Sequence, residues 1–86
     1  MNDVNNDLME VLNVLNHLQK DKMVPKNVRA KIKNAHSALL DEDKNLLLRI
    51  DKSIQELDEV VEDPNLPIDT KTQLWNIFSK LECIQQ

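Results

Sequence analysis

The sequence predicts an all-α fold of four antiparallel helices, and three observations carry that expectation. The chain matches itself when displaced by 42 positions. Leu8, Leu12, Leu15 and Leu18 fall on Ile50, Ile54, Leu57 and Val60, while Val24, Pro25, Ile32, Ala35 and Leu39 fall on Leu66, Pro67, Leu74, Ile77 and Leu81; Asn34 and Ser37 meet Asn76 and Ser79. Apolar residues recur at alternating steps of three and four, the spacing that lines one face of a helix. The aromatic residues are Trp75 and Phe78, and the remaining apolar content is aliphatic, which suits helix packing better than a sheet. The period falls among the roughly 40 to 47 residues of HEAT-like hairpin repeats. The chain therefore reads as two HEAT-like helical hairpins, about residues 8–39 and 50–81, four-helix bundle-like in outline, in a single domain over 3–84.

Helix one is expected from Val4 to Gln19, with Leu8, Val11, Leu15 and Leu18 on its inner stripe and Val4, Leu12 and Val14 widening it. Asp3 is a candidate N-cap, since its carboxylate can accept a first-turn amide, and Lys20 and Lys22 suit the opposite end of the dipole. Helix two is expected from Pro25 to Leu40, because proline lacks an amide that would have no helical partner there anyway. Its inner stripe is Val28, Ile32, Ala35 and Leu39. Helix three carries Leu47, Ile50, Ile54, Leu57 and Val61 and ends before Pro64, which disfavours helical geometry in the residue ahead of it. Helix four follows Pro67 with Leu74, Ile77, Leu81 and Ile84 inward and Trp75 and Phe78 broadening the stripe. Asn27 and Asp69 align across the repeat as further possible caps. The connections Lys20–Val24, Asp41–Asn45 and Asp63–Leu66 are short, so consecutive helices should be antiparallel neighbours.

Composition closes off several kinds of chemistry. With no glycine, the chain lacks the backbone freedom that phosphate-cradling loops, dinucleotide turns and nucleophile elbows need. Helix ends that usually place glycine in the left-handed region must use another residue, and Asn45 and Asn65 are the candidates. A single cysteine, Cys83, cannot form an internal disulfide, and with His17 and His36 it offers no paired metal-ligand spacing. No metal or other cofactor is expected. The polar segment Met1–Asp7 and the longest apolar run, Leu46–Leu48, predict neither secretion nor membrane spanning, and a cytoplasmic location is expected.

Asp41, Glu42 and Asp43 lack the spacing and turn glycine of a calcium loop, and the carboxylates from Glu56 to Asp63 read as a solvated helix surface. Ser37, Ser53 and Ser79 have no local base, and Cys83 reads as a small apolar filler. The chain is expected not to be an enzyme.

Charge is distributed unevenly. Residues 1–40 carry four acids and six bases, residues 41–86 eleven acids and five bases, so the halves stand at plus two and minus six within a net charge of −4. Lys22, Lys26, Arg29 and Lys33 can share a face around the start of helix two, able to meet phosphates or a carboxylate-rich partner. Against this, a net acidic chain lacks the overall field of a nucleic-acid binder. Helix four is apolar where helix two is polar: Phe78 aligns with His36 and Trp75 with Lys33. About three stacked repeats are usually needed to bury their faces, and this chain has two, so self-association is expected, a two-fold dimer being the natural form.

Three strings, Val24–Ala30 (VPKNVRA), Leu57–Pro67 (LDEVVEDPNLP) and Leu74–Glu82 (LWNIFSKLE), resemble the small archaeal proteins grouped as uncharacterised protein family 0147, over roughly residues 8–84. Lys71 stands where that family is expected to carry an arginine. The resemblance implies a compact helical fold in an archaeal cytoplasm and transfers no activity. The functional expectation is thus a noncatalytic protein-interaction module, self-associating through helix four around Trp75 and Phe78. The alternative is an RNA or ribonucleoprotein accessory using Lys22, Lys26, Arg29 and Lys33.

Overall fold

A computed structural model describes residues 4–85, with side chains described from residue 6. It consists of four helices, α1 (Val4–Leu18), α2 (Lys26–Leu39), α3 (Leu46–Asp58) and α4 (Ile68–Gln85), with no strand among the described residues. The starts of α1 and α3, and of α2 and α4, lie 42 residues apart. Asp3, the candidate cap of α1, lies outside the described residues.

Each helix contacts its two neighbours in the cyclic order α1, α2, α3, α4, and the diagonal pairs do not meet. The pairing is antiparallel. Lys31 meets Glu59 while Ser53 meets Ala35 across α2 and α3; Glu10 meets Lys80 across α1 and α4; Asp51 meets Gln85 across α3 and α4. The contact of α2 with α3 is the most extensive and that of α3 with α4 the least, so the ring is loosest along its α3–α4 side.

One core runs through the ring. Val11, Leu15, Leu18, Val28, Ile32, Ala35, Leu39, Ile50, Leu57, Leu74, Ile77 and Leu81 are buried, matching the expected inner stripes except at Leu8 and Ile54, which are only partly buried against the core. Each such aliphatic side chain is worth about 1.5–3 kcal/mol once removed from water, alanine less. One inner assignment on helix three changes, that of Leu47. Leu47 is 53% exposed, and Leu46 packs on the core instead, because Ile50 and Leu57 set the phase and Leu46, not Leu47, lies one turn ahead of Ile50. Val61 is buried as expected but beyond the end of α3, in a turn where its amide donates back to the Leu57 carbonyl.

The three connections share one turn. The aspartate opening it (Asp21, Asp41 or Asp63) accepts through Oδ1 from the amide two residues on, at 2.9, 3.1 and 2.8 Å. Its carbonyl accepts from the amide three residues on, at Val24, Lys44 and Leu66. The next residue (Pro25, Asn45 or Pro67) precedes a helix and accepts from the amide four residues later. An aspartate that hydrogen-bonds its own following backbone is a ready-made turn and needs no left-handed residue. Accordingly no described residue has positive φ, and the roles expected of Asn45 and Asn65 change. Asn45 instead caps the start of α3, its side chain accepting from Leu48, and the Asn65 amide serves the Asp63 turn. Neither Asn27 nor Asp69 is an N-cap. Pro25 holds that place for α2 without a side-chain bond, Asn27 donates instead to Asp63 at 3.4 Å, and Asp69 lies in the first turn of α4.

Candidate functional site

Large apolar side chains are exposed at several places, Met9, Met23, Leu40 and Leu48 among them, and the α3–α4 side carries Leu47, Ile68 and Trp75. Core residues Thr70, Leu74, Ile77, Leu81 and Ile84 fix the phase of α4. A helix rotated to bury that set must turn Ile68 and Trp75 away from it, and these are 78% and 52% exposed. Phe78 falls between the two directions and is only 7% exposed, its ring packed against Trp75 at a centroid distance of 5.5 Å with a 49° tilt. Of the two aromatic residues expected at an interface, Trp75 is therefore available, while Phe78 supports it from the core. The tilted pair holds the indole in place, since such ring contacts contribute about 0.5–1.5 kcal/mol beyond area burial.

Between the loosely packed helices lies a groove of about 260 Å³, lined by Ile54, Asp58, Trp75, Phe78, Ser79 and Glu82. Its floor is apolar and its rim carries two carboxylates. Leu47, the stripe residue that turned outward, belongs to α3 at the same side as Ile54, one helical repeat earlier.

On the opposite side of the ring, Lys26, Arg29 and Lys33 follow one another at three- and four-residue steps along α2, and Lys22 occupies the turn before it. Lys22, Lys26 and Lys33 are exposed, while Arg29 is half-buried with an Nε that has no hydrogen-bond partner. Among the described residues, none of the ion pairs uses these four bases. Met23, at the tip of the same turn, is 78% exposed. The Asp21 turn fixes its backbone, so a methionine and two lysines are presented together. Sequence reading missed Met23 because only the turn geometry separates it from buried Val24.

A larger groove, about 720 Å³, runs along α2 and α3 past Asn34, Ala38, Leu48, Lys52 and Glu56. Its charges are engaged within the chain. The buried Glu56 carboxylate accepts from Asn34 at 3.2 Å with Lys31 and Lys52 at 3.9 and 4.0 Å, Lys44 pairs with Asp41 at 3.7 Å, and Arg49 Nε donates to the Lys44 carbonyl at 2.8 Å. Beside it Lys31 donates to Glu59 at 2.7 Å. That bond holds the Glu59 carboxyl below and the Lys31 ammonium above their ordinary pKa values. On the other flank Glu10 likewise raises Lys80 through a 2.9 Å contact. No group of three or more metal-ligating side chains occurs among the described residues, and no described helix is long and apolar enough to cross a membrane. Cys83 is exposed rather than a filler of the core.

Comparison with known proteins places these features in a family context. The model of an uncharacterised protein family, UPF0147, matches residues 1–84. A UPF0147 protein of Methanosarcina mazei is 37% identical over 96% of this chain and 89% of its own length. One from Methanocaldococcus jannaschii is 39% identical over 84% of this chain and 77% of its own. The crystal structure of the unknown function protein MMP1188 superposes with a TM-score of 0.91 at 39% identity, covering both chains completely.

Proposed function

The chain belongs to the uncharacterised archaeal family UPF0147, and from that premise we propose that it is a noncatalytic protein-interaction module that self-associates through an apolar helix face. The observation that supports this most is Trp75, half exposed above an open groove floored by Ile54 and Phe78, on the side where the ring packs least tightly. Tryptophan is among the residue types enriched at the energetic centres of interfaces. The doubled hairpin favours the same reading. A HEAT-like unit covers its apolar face by stacking on a neighbour, and two units leave one side without a neighbour. A cytoplasmic setting belongs to this proposal, since exposed, unpaired Cys83 suits a reducing compartment.

Trp75 is the chain's single tryptophan, so its own fluorescence reports the association. Emission should move to the blue as concentration rises from low micromolar to millimolar, because packing removes water from the indole. An emission maximum independent of concentration across that range overturns the proposal.

The second reading, an RNA or ribonucleoprotein accessory, draws on the exposed Lys22, Lys26 and Lys33, which no described ion pair engages. Binding of a generic RNA that weakens steeply with salt and disappears when Lys22, Lys26, Arg29 and Lys33 are replaced by glutamate would favour it. Persistence of binding without those four bases would eliminate it.

A further inference from the structure

Resting on the self-association reading, we infer that copies of this chain meet head to tail: the α1–α2 turn of one copy, carrying Lys22, Met23 and Lys26, docks in the α3–α4 groove of the next. The cyclic order sets the α1–α2 edge across the ring from the α3–α4 edge; the turn lies at the end of the first edge and the groove along the second, so they are different surfaces. Contact between different surfaces is the heterologous geometry that builds rings or filaments, whereas a two-fold dimer must match one surface with itself.

Chemistry favours the heterologous match. The groove rim presents Asp58 and Glu82 around an apolar floor of Ile54 and Phe78 with Trp75 as its wall. Across a two-fold axis that rim would face its own carboxylates, and like charges opposed at an interface are a repulsive element. The α1–α2 turn is its complement in sign and in apolar content. It offers two exposed ammonium groups flanking an exposed methionine, whose flexible thioether packs well against aromatic rings.

The three equivalent turns provide an internal comparison. All share the aspartate-based backbone, yet their two-residue tips differ: Lys22–Met23, Glu42–Asp43 and Pro64–Asn65. The shared hydrogen bonds come from the aspartate and the tips differ, so neither a lysine nor an exposed methionine is needed to form this turn. Only the first tip combines a base with a large apolar side chain.

A mixing experiment tests the arrangement. Two double variants are made, Lys22→Glu with Lys26→Glu, and Asp58→Lys with Glu82→Lys; all four positions are exposed, and circular dichroism checks that each variant is folded. The account predicts that each variant alone self-associates at least about tenfold more weakly than wild type, because each has lost one of its two surfaces. Mixed at equal concentration they should recover association towards the wild-type level, since the intact acidic groove of the first accepts the intact basic turn of the second and the reversed turn of the first meets the reversed groove of the second with opposite charge. A mixture that associates no better than either variant alone overturns the docking. Undiminished association of the Lys22→Glu, Lys26→Glu variant overturns head-to-tail docking while leaving self-association standing, and if that variant has instead lost RNA binding, the turn serves RNA. A wild type that stays monomeric at millimolar concentration overturns both this inference and the reading beneath it.

Discussion

Leu57 has no solvent exposure and sits where α3 faces the interior of the ring. Replacing it with alanine should cost about 2–5 kcal/mol in urea denaturation, the loss of transfer energy plus the cavity left behind. A change below about 0.5 kcal/mol would place the core on another face. Asn45 makes a smaller, separable contribution: its side chain satisfies the Leu48 amide at 3.0 Å, and Asn45→Ala should cost about 1 kcal/mol. Trp75 behaves oppositely to Leu57. Because half of it already faces water, Trp75→Ala should lower fold stability less than Leu57→Ala while weakening association more, a contrast readable by pairing denaturation with sedimentation. Which side chains are buried was largely legible in the sequence, since period and phase are set by Leu, Ile and Val. Phe78 was not, because its position on the helix borders both the core and the seam and only the tightness of the α3–α4 packing decides between them.

Among the elements, α2 and α3 hold together through apolar contact and through the surface pair Lys31–Glu59. The glutamate's folded pKa is lowered, so its contribution is present above the ordinary carboxylate value of 4.5 and is lost as pH falls through the folded value. For the lysine the sign reverses: its pKa is raised, so its contribution is complete below 10.5 and is lost as pH rises through the folded value. A double-mutant cycle with Lys31→Met and Glu59→Gln should show favourable coupling at neutral pH that vanishes once the pH has fallen below the lowered folded value of Glu59. Coupling that persisted in acid would mean that the pair acts through packing rather than charge. The four helices were readable from the three- and four-residue spacing of the apolar residues. The shared aspartate turn was not, because its signal is one residue type at a position where aspartate also reads as a surface charge. It also explains how a chain without glycine ends its helices: backbone that stays in ordinary right-handed and extended regions leaves no left-handed position for glycine to fill.

At the scale of the whole molecule, the ring of four helices encloses one core and is closed least tightly along its α3–α4 side. Its two halves differ in charge by design of the sequence, basic on the α1–α2 side and acidic beyond it, and a groove with an exposed indole lies on the acidic side. Added salt should therefore weaken association by screening the opposed charges, whereas an assembly held by the indole alone would be insensitive to salt or strengthened by it. Sedimentation equilibrium of the wild-type chain from about 10 µM to about 1 mM tests the central claim most directly. The account predicts an average mass that climbs above that of the monomer with concentration and falls back when Trp75 is replaced by alanine. A monomer mass at every concentration, or a climb unaffected by that replacement, would contradict it.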